Sequence, residues 1–332
     1  MRRIILLTLL SVFLVGISSG WGQTNAQLLT RIEALETKLA NLTLVTGSLN
    51  GLAGPHLIFQ NVNVHIRNGN GLTGSTNGKG NLIIGYNEKS ILESVGVEIA
   101  RNGSHNLVIG SNHRYSSYGG SVVGELNWIS GAFASVSGGQ SNYASGDYAS
   151  VSGGQAHHAS GDYASVSGGW GNDASGETAS VSGGQKNEAT SFAASVSGGQ
   201  ENKASGGSSS VVGGQNNTAS GNWTSVSGGW DNDASDDYAS VSGGQENEAS
   251  GYAASVSGGQ GNRASGGSSS VIGGQNNTAG GNWTSVSGGN SNRASGSAAH
   301  VGGGWSNVAS GDYANVAGGK QVTSSNEYQS RY

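Results

Sequence analysis

The side chains that could do chemistry are present, but they are not arranged for it. The seven histidines are scattered along the chain, at His56, His65, His105, His113, His157, His158 and His300. No recurrent pair of histidines or carboxylates has the spacing of metal ligands, and no serine recurs in phase with a histidine and an acid. The chain has no cysteine, which excludes disulfides, thiolate metal sites and a cysteine nucleophile. The sequence therefore predicts no catalytic residue, no metal site and no cofactor.

Acidic side chains recur at intervals of fifteen residues. They form a short column at Asp147, Asp162 and Glu177, and the column returns at Asp237 and Asp312. We interpret it as a solvated face, and weak calcium binding remains the alternative because calcium prefers carboxylate oxygens. The formal net charge is −5, and residues 131–320 contain 13 acidic and 5 basic side chains. Such a surface repels phosphate, so nucleic acid is excluded as a partner.

Aromatic side chains follow the same interval, although aromatic residues make up only 7% of the chain. One column contains Phe133, Tyr148, Tyr163, Trp223, Tyr238, Trp283 and Tyr313. A second column is mostly glutamine and becomes Trp170, Trp230 and Trp305. Aromatic faces offer a large contact area at low entropic cost, so the columns predict either a face that binds sugars or apolar matrix, or a seal between chains. Both interpretations require an element that brings the chain back to one place every fifteen residues.

A fifteen-residue repeat supplies that element. A valine recurs from Val136 to Val316 in thirteen rows without an insertion, and paired glycines follow each valine. The consensus is A-S-V-S-G-G-Q-x-N-x-A-S-G-x-x, and residues 203–229 nearly reproduce themselves at 263–289. Alternation in Ser-Val-Ser predicts a short strand with the valine inward, and a second strand follows at Asn-x-Ala-Ser. Residues 131–320 are therefore predicted to form an all-β solenoid whose stacked asparagines hydrogen-bond along the axis.

The residues on either side of this repeat are less regular. In the transitional β region, residues 51–130, the stretches Asn81–Gly85 and Asn106–Gly110 resemble each other and are interpreted as early, degenerate coils. A G-x-G-x-x-G match at residues 69–74 is interpreted as a turn, because no helical pattern follows that could hold a phosphate. Residues 321–332 are predicted to be a C-terminal tail.

The N-terminal residues predict export and then assembly. Residues 1–22 have a basic start, an apolar run and small residues, which is the layout of a signal peptide; an uncleaved membrane anchor is the alternative. Residues 23–50 are predicted to form a trimeric coiled coil, since Arg31 and Glu36 flank an apolar heptad seam. Arg31–Glu36 resembles a short trimerisation motif of three-stranded coiled coils; an amphipathic helix packed on its own chain is the alternative. The seam residues are Leu28, Ile32, Leu35, Leu39, Leu42 and Leu49.

The A-S-V-S-G-G and N-x-A-S-G runs, together with Asn81–Gly85 and Asn106–Gly110, resemble the head repeats of trimeric autotransporter adhesins, the YadA-like heads. The resemblance covers about residues 80–320. It implies a left-handed parallel β-roll, three chains side by side, and binding to host or matrix surfaces. The stalk and membrane anchor of that family have no counterpart in residues 321–332, so self-anchoring is not expected.

Together these patterns predict a secreted or cell-surface structural or adhesive rod, homotrimeric and not an enzyme, which binds matrix protein or polysaccharide. Two alternatives remain open. The paired serine rank from Ser135 and Ser137 to Ser285 and Ser287 suits ice binding, although Val212 and Ile272 interrupt it. Parallel β-helices also host polysaccharide-active enzymes, but this repeat lacks their paired carboxylates.

Overall fold

The computed structural model describes residues 24–88 and 100–332. The chain divides into two compact units, Met1–His65 and Ile66–Tyr332. The predicted signal peptide lies outside the described residues. Within the described ranges, no helix has both the length and the apolar character needed to cross a membrane.

The first described element of this unit is the helix α1 (Asn25–Lys38). Thr24 caps its N-terminus, because the Gln27 N–H donates to the Thr24 hydroxyl oxygen at 3.3 Å and the Thr24 N–H donates to the Gln27 side-chain oxygen at 2.9 Å. This reciprocal pair satisfies two of the free donors at a helix start. At the other end, the Leu39 N–H donates to the Leu35 carbonyl oxygen at 3.0 Å.

The coiled-coil prediction for residues 23–50 is wrong in its length. The helix ends at Lys38, and Leu42 begins the strand β1 (Leu42–Val45). The run Leu-Thr-Leu-Val contains two β-branched residues, which fit a pleated strand better than a helix. Leu49 forms an isolated antiparallel bridge with Leu52. The seam residues on α1 or at its C-cap are Leu28, Ile32, Leu35 and Leu39, and pairing between helices stays a prediction.

A two-stranded hairpin completes the first unit. Strand β1 pairs antiparallel with β2 (His56–Phe59), with Leu42 opposite Phe59 and Val45 opposite His56. No residue between 24 and 65 is fully buried. An isolated hairpin and a helix of 14 residues are both marginal in water, so residues 24–65 supply little internal stability as a single chain.

The second unit is a parallel β-solenoid of about fifteen-residue turns. Its first sheet has 17 strands among the described residues, and each strand between the first and the last pairs in register with the strands one coil before and after it. The strands are β3 (Leu82–Ile84), β4 (Leu107–Ser111), β6 (Ser121–Glu125), β8 (Ser135–Val136), β10 (Ser150–Val151), β12 (Ser165–Val166), β14 (Ser180–Val181), β16 (Ser195–Val196), β18 (Ser210–Val211), β20 (Ser225–Val226), β22 (Ser240–Val241), β24 (Ser255–Val256), β26 (Ser270–Val271), β28 (Ser285–Val286), β30 (His300–Val301), β32 (Asn315–Val316) and β34 (Ser330–Arg331).

A second parallel sheet alternates with the first along the chain and has 15 strands within the part of the chain that the structure describes. They are β5 (Arg114–Tyr115), β7 (Trp128–Ile129), β9 (Tyr143–Ala144), β11 (His158–Ala159), β13 (Asp173–Ala174), β15 (Glu188–Ala189), β17 (Lys203–Ala204), β19 (Thr218–Ala219), β21 (Asp233–Ala234), β23 (Glu248–Ala249), β25 (Arg263–Ala264), β27 (Thr278–Ala279), β29 (Arg293–Ala294), β31 (Val308–Ala309) and β33 (Thr323–Ser324). Isolated parallel bridges between successive coils, from Glu125–Gln140 to Trp305–Lys320, add a third ladder.

Small side chains fill the solenoid. We number coil positions from the inward valine, which is position 0. In the coil of Val181, the buried residues are Val181, Asn187 at position 6, Ala189 at position 8 and Ala194 at position 13, each at most 1% exposed. The serines on either side of the valine point outward. The predicted inward valine, alanine and asparagine are therefore confirmed, and the core of each coil is thin.

Both ends of the repeat follow the same construction. Leu82 pairs with Leu107 and Ile84 with Ile109, which confirms that these two stretches are equivalent coils. At the other end, β33 and β34 pair with β31 and β32. The solenoid therefore extends into residues 321–332, which the sequence prediction treated as a tail. Ser324 takes the place of the inward alanine there and is fully buried.

Candidate ligand-binding face

A column of buried amides fixes each coil against the next. The Asn187 N–H donates to Asn172 Oδ1 at 2.9 Å, and Asn187 Nδ2 donates to the carbonyl oxygens of Gly183 and Gly199, each at 2.9 Å. The N–H to Oδ1 bond repeats down the position-6 column as far as Asn307. The predicted axial asparagine column is confirmed. Because the turns are held identically in each coil, the exposed residues also fall into straight columns.

Two histidines replace asparagine in this column. His157 is fully buried, and its Nδ1 accepts the Asn172 N–H at 3.0 Å. His113 is also fully buried, and its Nε2 contacts the Ile109 carbonyl oxygen at 2.9 Å. Burial lowers the pKa of both imidazoles below the ordinary 6.5. Both rings are therefore neutral substitutes for an amide, and the exposed His158 faces the other way, as its adjacency to His157 predicted.

The acidic column at position 11 holds coils together. Asp147 Oδ1 accepts the Ala132 N–H at 2.7 Å, and Asp162 Oδ1 accepts the Asp147 N–H at 2.9 Å. Asp237 and Asp312 accept N–H groups of the preceding coil in the same way, at 2.8 Å. The sequence interpretation of a purely solvated face missed this bond. The signal was available, because asparagine and aspartate at a turn commonly hydrogen-bond nearby backbone.

The column at position 12 presents the aromatic side chains on an unusual backbone. All fourteen of its residues, from Phe133 to Tyr328, have φ between 52° and 61°. This left-handed region costs a residue with a side chain about 1–2 kcal/mol, yet none of the fourteen is glycine. The N–H of the strained residue donates back to the preceding coil, as from Trp223 to the Gly207 carbonyl oxygen at 2.9 Å. We call this set of residues the ring column.

The rings in the ring column are exposed and stacked along the axis. Tyr148, Tyr163, Trp223, Tyr238, Trp283 and Tyr313 are each between 49% and 67% exposed. Ring centroids lie 5.2 Å apart for Phe133–Tyr148, 5.0 Å for Tyr148–Tyr163, 5.1 Å for Trp223–Tyr238 and 4.9 Å for Tyr313–Tyr328, with interplanar angles of 3° to 16°. Aromatic pairs at such distances stabilise one another. The stacks leave the ring edges facing solvent.

This stacking limits what the ring column can bind. A sugar ring placed between two aromatic rings needs about 7–8 Å between their planes, because carbon atoms in contact are about 3.5–4.0 Å apart. The stacked pairs are about 5 Å apart, so their facing surfaces are closed to a ligand. Only a ring face at the end of a stack is open to a flat partner.

The second predicted column, at position 4, lies on the bridge ladder. Trp170, Trp230 and Trp305 are 40% to 42% exposed, so their indoles also reach solvent in the single chain. Lys186 Nζ lies 5.5 Å from the Trp170 ring centroid, and Lys320 Nζ lies 4.8 Å from that of Trp305. These ammonium groups cover the indole faces by cation–π contact.

Charged residues occupy positions 5 and 7. Glu188 and Lys203 pair at 3.1 Å, and Lys186 and Glu201 pair at 3.6 Å. These groups are about half exposed, and such pairs contribute little to stability. Burial raises the pKa of the Asp233 carboxyl, and its neighbour Glu248 raises it further. The charged columns therefore form a polar surface of the solenoid, and their ion pairs are not what holds the coils together.

The predicted trimerisation residues lie on one stripe of α1. Leu28, Leu35 and Leu39 are 43% to 54% exposed, and Ile32 is half-buried. Steps of four, three and four residues place them on one helix face. Arg31 and Glu36 are exposed beside this stripe, while Leu42 belongs to β1 and does not take part.

The sequence matches no protein-family model, and no curated protein is significantly similar to it.

Proposed function

We propose that this protein is a secreted or cell-surface adhesive rod without catalytic activity. The observation that carries the proposal is the ring column, in which eight of the fourteen residues are aromatic and keep their side chains largely exposed. Exposed aromatic rings are typical of binding surfaces. The solenoid is the scaffold that sets these rings at fixed intervals for contact with polysaccharide or matrix protein.

The working form of the rod is a parallel homotrimer. The apolar stripe of α1 and the exposed β1–β2 hairpin support this part of the proposal, because nothing within residues 24–65 is fully buried. Further copies of the same segment would cover this surface. In a three-stranded coiled coil, Arg31 of one helix would face Glu36 of a neighbour.

Export and winding complete the proposal. Residues 1–22 would direct the chain out of the cytoplasm and then be removed. The coils would wind left-handed, as in the heads of trimeric autotransporter adhesins. The parallel sheets and the period of fifteen residues are compatible with that family, and the resemblance of the coil sequences is what favours it.

Adhesion of the full chain is the direct test. The exported protein is purified, its mass is measured by light scattering, and its retention is measured on immobilised polysaccharides and matrix proteins. The proposal expects a trimer mass and retention on at least one surface. Retention on none of them would remove the adhesive function, and a monomer mass would remove the trimer.

A further inference from the structure

Two tryptophans of the ring column, four coils apart, have the same two small residues on the coil that precedes them. We call each tryptophan together with these two residues a platform. Trp223 follows a coil that carries Gly207 and Ser208 at positions 11 and 12, and Trp283 follows one that carries Gly267 and Ser268. Among the described coils, this Gly–Ser step occurs only in these two places. Each tryptophan therefore has a small neighbour on the preceding coil instead of a ring.

The small neighbour leaves one indole face open. Tyr238 covers one face of Trp223 in a stack with an interplanar angle of 9°. The opposite face points toward Ser208, whose side chain is too small to cover an indole. Trp283 has Ser268 on one side and Ala298 on the other, and within the described residues it stacks on no ring. Its 67% exposure is the highest among the aromatic residues of the predicted binding face.

Polar groups surround each open face in the same arrangement. Asn222 Oδ1 accepts the Gly207 N–H at 3.0 Å, and Asn282 Oδ1 accepts the Gly267 N–H at 2.9 Å. This bond holds the asparagine beside the indole. The exposed serine lies at the foot of the platform. A flat apolar surface edged by an amide and a hydroxyl suits a pyranose ring, which has an apolar C–H face and hydroxyl groups at its rim.

The distance between the two platforms favours a chain of several sugars over a single sugar. Four coils at about 4.8 Å each place the platforms about 19 Å apart along one side of the solenoid. A single sugar could occupy only one of them. An extended chain of several sugars running along the axis could occupy both, and its second contact would then be intramolecular.

We propose that Trp223 and Trp283 form a paired binding site for a linear polysaccharide that lies along the solenoid axis. Each indole stacks on one pyranose ring through the face left open by the Gly–Ser step. This inference rests on the adhesive function proposed above and names its ligand class.

The test uses the full-length exported protein and the variants Trp223→Ser, Trp283→Ser and the double variant. Serine is native at position 12 in two other coils, so these variants keep the coil. The matched control is Ile272→Ser, which removes an apolar side chain of 58% exposure from position 1, where serine is usual and which lies outside both aromatic columns. Thermal unfolding checks that all four variants fold and assemble as the wild type does.

Binding is measured by calorimetry with β-1,4-linked glucose and N-acetylglucosamine chains, β-1,3-glucan and mannan, each as disaccharide and as octasaccharide. One of these should bind, and its octasaccharide should bind more tightly than its disaccharide. Each single serine variant should weaken octasaccharide binding by about tenfold, which corresponds to about 1.4 kcal/mol and is the size of effect that a central aromatic contact carries at a binding surface. The double variant should bind the octasaccharide no more tightly than the disaccharide, and Ile272→Ser should bind as the wild type does.

Three results would overturn the inference. The double variant could bind the octasaccharide as well as the control does. The wild type could bind none of the glycans while still adhering to a matrix protein, which would leave the adhesive function standing and make the partner a protein. The octasaccharide could show no advantage over the disaccharide, which would reject the paired site. Failure to adhere to any surface would instead remove the proposed function itself.

Discussion

Replacing Asn187 by alanine should open the solenoid locally. The substitution removes the Oδ1 acceptor of the Asn202 N–H at 3.0 Å and the Nδ2 donor to the Gly183 carbonyl oxygen at 2.9 Å. The third partner, the Gly199 carbonyl oxygen, keeps a bond from the Gln185 N–H at 2.9 Å, so its loss matters less.

The magnitude follows from the burial of these groups. Asn202 is fully buried, so its N–H has no access to water. An unpartnered buried donor costs about 1–3 kcal/mol. The Gly183 carbonyl oxygen, in a residue of intermediate exposure, adds a smaller amount. We expect the substitution to destabilise this coil by about 2–4 kcal/mol in total. Amide protons that exchange through local opening of the coil should then exchange about 30- to 700-fold faster.

Hydrogen exchange measured residue by residue is the assay. The Asn202 amide should lose most protection, and the loss should decline over the coils on either side, because repeats interact mainly with their neighbours. Asn216→Ala is the control, since position 5 is outside the buried column and already holds Ala156. Asn187→His should be milder, because His157 Nδ1 already serves as the acceptor in this column. Wild-type exchange at Asn202, or a uniform loss over the whole second unit, would refute the reasoning.

Three further outcomes can be checked. In thermal unfolding, Gly199→Ala should destabilise the protein far more than Gly198→Ala. Gly199 has a φ of 89°, and a Cβ there would lie 2.1 Å from the Gly214 carbonyl oxygen, whereas a Cβ at Gly198 would meet no atom within 4 Å. Equal effects of the two substitutions would contradict this reasoning. Because burial lowers the pKa of His157 below the ordinary 6.5, the unfolded state takes up the proton first as the pH falls, so stability should drop below about pH 6.5. His157→Asn should flatten that drop in unfolding curves, and an unchanged pH dependence would show that the ring does not contribute. Replacing Ile32 and Leu35 by aspartate should lower the mass measured by light scattering, and an unchanged mass would argue against assembly through α1.

The structural features that could be predicted from the sequence are those for which the same residue type recurs at the same position of each coil. The valine and asparagine recur in almost every row, so the inward positions and the axial hydrogen bonds followed from period and size alone. The equivalence of the coils at Leu82 and Leu107 followed from their shared apolar pattern.

The features that were missed have no constant residue. Position 12 is left-handed throughout, but it holds tyrosine, threonine, alanine, serine and tryptophan, so no glycine signal marks it. The distance between stacked rings, which leaves no room for a ligand between them, is set by the rise from one coil to the next. This rise cannot be read from the residue types. The last coil was missed because Val322 and Ser324 replace the expected asparagine and alanine. The end of α1 was missed because leucine at Leu42 and Leu49 fits both a heptad and a strand.

The sixty-residue repeat, residues 203–229 against 263–289, has a genetic consequence. A crossover between two such copies would add or delete sixty residues, which is a whole number of coils. The hydrogen bonds between coils join residues about one coil apart, so the joined ends would meet with the same groups facing one another. Each event would also insert or remove one tryptophan platform. Variation in copy number could therefore change the number of contacts that the protein makes with a polymer while leaving the packing of every coil unchanged.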